Sequence, residues 1–145
     1  MQFGTNHIGH FLLTNLLMPA ILKGGETGDS RIVNLSSRGH HFDGVHFDDL
    51  KFENREYDKW LSYGQAKTAN VLFSVGLEKR LADKGVHSYA VHPGGIRTNL
   101  GRHLTEEDIA TLMKRMEENA GKSVAFKTVE AGAATSCYAA TAPEI

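Results

Sequence analysis

The chain has 145 residues, 41% hydrophobic and 23% charged, with a formal net charge of −1. That length and balance describe a single globular domain. A near-neutral charge without a basic block argues against binding driven by nucleic-acid phosphates. The longest apolar stretch, LLMPAIL from Leu16 to Leu22, is far too short to span a bilayer. No basic start followed by an apolar run is visible, so the expected location is cytoplasmic. The single Cys137 excludes an internal disulfide and is expected to be a small buried residue of an Ala-rich helix.

In chain order, residues 5 to 23 read as a helix. Ile8, Phe11, Leu12, Asn15, Leu16 and Pro19 recur at helical spacing, and Pro19 is expected to kink it. KGGETGDS is a loop. RIVNLSS, residues 31 to 37, has the short apolar run of a buried parallel strand. Residues 38 to 60 read as irregular. Helical periodicity returns over 62 to 83, with Leu72, Val75, Leu77 and Leu81 as apolar positions and Gly85 as the stop. VHSYAVHPGG, from 86, reads as a second strand ended by Pro93 and two glycines. Thr105 opens a polar helix through a variant capping box, TEED, and Thr128 caps a last helix over 129 to 140. Helix, strand, helix, strand, helix, helix is an α/β order with a parallel sheet. Two strands make a narrow sheet, so the fold class is part of a doubly wound, Rossmann-like domain.

Tyr63 and Lys67 stand four apart in SYGQAKTAN, which puts them on one helix face. A free tyrosine with a pKa near 10 is ionised about once in a thousand at neutral pH. A neighbouring ammonium that lowered the value by roughly two units would raise that fraction about a hundredfold. Such a phenol exchanges protons with an alcohol or alkoxide. Taken alone the spacing also fits a solvated helix face. Ser36 and Ser37 end the first strand, and carboxyl ends of parallel strands line the ligand crevice of open sheets. A hydroxyl there can hydrogen-bond a substrate oxygen; Ser36 reads as a turn cap. HPGGIRT, at the end of the second strand, lets backbone approach a flat ligand or forms an ordinary turn.

NHIGH, RIVNLSS, YGQAK and HPGGIRT, in this order and separation, resemble the catalytic half of a short-chain dehydrogenase/reductase. The retinol dehydrogenase and WW-domain-oxidoreductase-like branch resembles it most, through NHIGHFLLTNLL, FDDLKFENREYDKWLSYGQAKTANVLF and HPGGIRTNL. The resemblance covers essentially the whole chain. It implies Tyr63 as general acid/base, with Lys67 lowering its pKa and binding the nicotinamide ribose. It implies Ser37 as the group that polarises the substrate, and Asn6 as the holder of a water leading from Lys67 to solvent. The Ile96 backbone and Thr98, presented by Pro93 and Gly94, would bind the nicotinamide carboxamide. The implied cofactor is NADP or NAD, and the implied substrate an alcohol or carbonyl compound, of a lipophilic kind at the level of the family.

The family's opening strand, glycine-rich turn and helix are absent from this sequence, and so is its last strand. The expectation is a single-domain catalytic half, truncated at both ends, with an open sheet edge and little or no activity in isolation. The alternative is a non-enzymatic module that pairs with other subunits through the helices at 5–23 and 62–83, the route also expected for a homo-oligomer. A metal reading rests on His7 and His10 and on His40, His41 and His46 with Asp43, Asp48 and Asp49; they lack a compact ligand pattern, and no metal is expected. Trp60, Phe42 and Phe47 are candidate pocket residues or packing. The helix from 105 is a candidate lid over the substrate, or a solvated amphipathic helix.

Overall fold

The computed structural model describes residues 2–28, 30–120 and 125–145. Asp29, in the loop expected over residues 23–30, lies outside them. Two parallel strands, β1 (Ser30–Leu35) and β2 (Val86–Val91), are joined by the long helix α2 (Lys59–Leu81), the βαβ unit expected from the sequence. Their register runs from Ser30 opposite Val86 to Leu35 opposite Val91. Ahead of β1, the chain makes a π turn at Gly4–Ile8 and continues as α1 (Gly9–Gly25), which passes through Pro19 without ending.

The core is small: Ile32, Leu77, Leu81 and Val86, with Met18, Ile21, Leu22 and Phe73 packed around it. The stripe of Ile8, Phe11, Leu12 and Leu16 is exposed, and the inner face of α1 is instead supplied by its last turns. A two-stranded sheet covers only that end of the helix. On α2, Leu77 and Leu81 are buried while Leu72 and Val75 are exposed. The rest of its inner face is polar or small, with Ser62, Gln65, Lys67, Asn70 and Ser74 buried beside Ala66 and Ala69. Polar groups can occupy such a face only when hydrogen-bonded, and most of these are.

Asp58 caps α2, its carboxylate accepting from the Trp60 and Leu61 amides, both at 2.8 Å. The Arg115 guanidinium grips the same carboxylate at 3.0 and 2.7 Å. Burial alone pushes the Asp58 carboxyl up, but the guanidinium and the two amides together outweigh it and hold it below its usual value. Arg115 belongs to α3 (Glu106–Ala120), so α3 is tied to the start of α2, and Lys59 pairs with Asp108 alongside. Thr105 and Asp108 bond each other's backbone amides, the reciprocal cap expected from TEED.

Two short strands escaped the sequence reading. β3 (Gly95–Ile96) pairs in parallel with β4 (Phe126–Lys127), with α3 between them in sequence. Helix α4 (Val129–Thr141) follows, capped by Thr128 as expected. Gly132 lets it approach β3; a Cβ there would fall within 1.8 Å of Ile96 Cδ1. Cys137, expected to be buried, is exposed, because α4 turns Gly132 and Ala139 inward.

Candidate active site

The carboxyl ends of β1 and β2 and the buried face of α2 gather the candidate residues. β1 ends at Leu35, and its continuation is held by the Ser36 amide donating to the Val91 carbonyl at 2.9 Å. Ser36, read from sequence as a turn cap, does more: its buried hydroxyl donates to the Lys67 carbonyl at 3.0 Å and fastens the strand to the helix. Ser37 caps the short 3₁₀ turn Arg38–His41, its Oγ accepting from the Gly39 amide at 3.1 Å. The Tyr63 hydroxyl lies close enough to Ser37 for that side chain to lower its pKa. The Tyr63 ring lies against Gly39, where a Cβ would come within 2.8 Å of Cε1. Ser37, Gly39 and Tyr63 therefore form one contact set.

Lys67 is buried and extends past the same ring, with Nζ 5.5 Å from the ring centroid. Nζ donates to the Leu35 carbonyl at 3.1 Å. Burial pushes the Lys67 ammonium below its ordinary value. The direction at Tyr63 is the reverse of the sequence expectation. Burial pushes the phenol up, and the Ser37 hydrogen bond offsets only part of that rise. Two physical reasons account for it. A phenolate in a partly buried setting loses hydration, and the ammonium is directed at a peptide carbonyl. Tyr63 is thus held as a neutral phenol.

The raised value has a signed consequence. A group whose pKa is higher folded than unfolded adds stability that is lost as pH climbs through the folded value. Phenolate absorbance followed in an alkaline titration should show Tyr63 ionising above the free-tyrosine value near 10. The difference between parent and Tyr63→Phe isolates it, and a midpoint below 10 would refute the assigned environment.

Asn6 sits in the π turn, a geometry that is often found at functional sites. Its side-chain amide faces Gln2, donating to the carbonyl at 3.1 Å and to Oε1 at 3.3 Å. What reaches the site is its main-chain carbonyl, through Asn70. Asn70 Nδ2 donates to the Asn6 carbonyl and to the Leu35 carbonyl, both at 3.0 Å, so it shares the Leu35 oxygen with Lys67. Asn70 is almost fully buried and was missed in the sequence. Its signal was present: it lies one turn beyond Lys67 on the face carrying Tyr63.

Pro93, Gly94 and Ile96 are half-buried beyond the end of β2, and Thr98 is exposed. Gly94 has φ +100°, which only glycine adopts without strain. The Ile96 side chain packs on Gly132, leaving only its backbone for a ligand. Thr98 Oγ1 accepts from the Leu100 amide at 3.2 Å, and its O–H remains a donor.

The histidines are engaged separately. His7 bonds Asn70, His40 the Ser37 carbonyl, and His46 Asp43. Among the described residues no group of three or more His, Cys, Asp or Glu is placed to hold a metal ion. The aromatic candidates are dispersed too. Trp60 is buried in the body of the fold, Phe42 backs Gly64, and Phe47 lines an apolar groove of about 670 Å³ beside α1 and α2.

No family-level profile matches the chain. Retinol dehydrogenase 14 of Homo sapiens is 45% identical over 145 residues, all of this chain and 41% of that protein. The chloroplastic short-chain dehydrogenase TIC 32 A of Brassica napus is 42% identical over 154 residues, covering 99% of this chain and 45% of that protein. The chain is related to the short-chain dehydrogenases/reductases. Two solved structures share the fold of this chain. A crystal structure of a putative uncharacterized protein from Mycobacterium paratuberculosis superimposes with a TM-score of 0.64 at 35% identity, over 97% of this chain and 41% of that one. The NADPH-bound carbonyl reductase from chicken fatty liver gives 0.53 at 25% identity, over 89% and 53%. The chain thus spans about two fifths of the length of the retinol dehydrogenase. No helix among the described residues is long and apolar enough to cross a membrane.

Proposed function

We propose that this chain is the catalytic segment of an oxidoreductase that interconverts an alcohol and a carbonyl compound with NADP or NAD. The observation that carries this is the joining of Ser37, Tyr63 and Lys67 at the carboxyl edge of two parallel strands. When bound, the dinucleotide would supply the hydride chemistry at the carbonyl carbon. The residues at the strand ends fit its nicotinamide end: a glycine at positive φ, an accessible backbone at Ile96, and the Thr98 hydroxyl. Lys67 has further N–H groups beyond the one on Leu35 for a ribose hydroxyl.

In the reductive direction Ser37 donates to the carbonyl oxygen and Tyr63 delivers the proton as negative charge develops there. A phenol held neutral by burial is suited to that role. Lys67 then lies close to the phenolate left behind and stabilises it, while Asn70 and the Asn6 carbonyl hold the ammonium's surroundings in place. The cytoplasmic location and the lipophilic substrate stay parts of this proposal.

A second reading rests on the exposed leucines of α1. Leu12, Leu13, Leu16 and Leu17 form an apolar face wide enough to seat another subunit. On this reading the chain pairs through α1 and α2 without turning over substrate. One assay separates the two. The protein carrying this chain, supplied with NADPH or NADH and a panel of lipophilic aldehydes, should consume the reduced cofactor in proportion to alcohol formed. A stable oligomer with no cofactor consumption across the panel would refute the enzymatic reading.

A further inference from the structure

The sequence has no basic block, yet the fold assembles one. Arg38 is the first residue after Ser37, and His92 the first after β2. The β1–β2 register ends at Leu35 opposite Val91, and the Ser36 amide bonds Val91, so both residues leave the sheet at the same edge. Lys127 comes from far along the chain. The pairing of Ile96 with Lys127 brings it in, and its side chain runs over Gly94. A Cβ at Gly94 would lie 3.0 Å from Lys127 Cδ and 3.4 Å from Nζ. Arg97 stands beside it, with its guanidinium 5.0 Å over the Phe126 ring. Arg38, His92, Arg97 and Lys127 are all exposed.

We propose that Arg38, His92 and Lys127 form an oxyanion site at the carboxyl edge of β1 and β2, taking a phosphate or carboxylate of a molecule laid across the strand ends.

Three observations support it. Among the described residues, none of the three side chains has a carboxylate partner in an ion pair. Burial is the largest cause that holds the His92 imidazole below its ordinary value, and the Arg38 and Lys127 charges, with His40, act in the same direction. Like charges gathered without a counter-charge repel, and a bound anion relieves that repulsion. Finally, the edge is the place where open parallel sheets bind ligands. The same chemistry has two sources: the diphosphate of a dinucleotide, or an acidic substituent of a substrate. The site does not depend on the hydride-transfer reading, and either can fail without the other.

The test is an NMR titration of the His92 ring in the 145-residue chain at low ionic strength, with inorganic pyrophosphate in one series and octanoate in another. Binding should raise the His92 midpoint by about one pH unit, because an adjacent anion favours the imidazolium. The shift should shrink as salt is added. Lys127→Gln and Arg38→Gln, both at exposed positions, should each weaken the anion at least about fivefold. A stronger response to pyrophosphate assigns the site to a diphosphate, and a stronger response to octanoate to an acidic substrate. An unmoved His92 midpoint with both anions overturns the proposal. So does a shift that neither substitution weakens, since the anion would then bind elsewhere.

Discussion

Tyr63→Phe is expected to lower turnover of the active protein carrying this chain at least about a hundredfold, while leaving cofactor affinity within about twofold. The ring is kept, so its contact with Gly39 and the packing of α2 are kept. What goes is one hydroxyl: the hydrogen bond to Ser37 and the proton that the carbonyl oxygen needs. General acids of this kind contribute about a hundred- to ten-thousandfold. Steady-state rates with reduced cofactor, and cofactor titration followed by fluorescence, check both halves. Equal turnover in mutant and parent would remove Tyr63 from the mechanism. A joint loss of turnover and cofactor binding would instead mark it as a structural residue.

Gly25→Ala should destabilise the fold by about 3 kcal/mol. The last residue of α1 touches the start of β2 backbone to backbone. A Cβ on Gly25 would lie 2.3 Å from the Lys84 carbonyl and 2.8 Å from Val86 Cγ2. Val86 is fully buried, so it has no room to yield. The facing residue is constrained as well, since Gly85 has φ +68° and its own Cβ would fall 2.2 Å from the Gly25 carbonyl. The helix must therefore move off the strand that completes the core. Thermal unfolding should drop by roughly 6–12 °C for a chain of this size. Gly44→Ala is the control, because nothing lies within 4 Å of a Cβ there. Matching unfolding temperatures for Gly25→Ala and the parent would show that the approach is looser than the structure describes.

The two proposals use the same edge of the sheet for different work. Ser37 and Tyr63 handle a neutral oxygen and one proton. Arg38, His92 and Lys127 set the electrostatic potential around them. A site that binds an anion beside a proton donor ties its occupancy to pH and salt, and the measurements above separate those dependences from the chemical step.

Much of this was legible in the residues. The apolar runs at Ile32–Leu35 and Val86–Val91, with a long helical pattern between, give a βαβ unit directly, because strand and helix periods differ. Thr105, Thr128 and Gly85 marked their helix ends correctly, since capping is a local matter between a side chain and the nearest free amides or carbonyls. The spacing of Tyr63 and Lys67 fixed a shared face. Burial was less legible. Periodicity reports which residues form a stripe, and the extent of the neighbouring sheet decides whether the stripe is covered; Phe11, Leu12 and Leu16 stay exposed for that reason.

What only the tertiary structure decided is the environment of each group. Sequence spacing brought an ammonium near a phenol, but the Leu35 carbonyl took one of its N–H groups and burial reversed the expected shift. Asn70, Ser36 and the β3–β4 pair matter through partners distant in sequence, which no local pattern encodes. The basic edge likewise exists only because parallel pairing carries residues 38, 92 and 127 to one end of the sheet. Hydrogen bonds and Coulomb forces act over a few ångströms of space, and the order of residues along the chain does not state those distances.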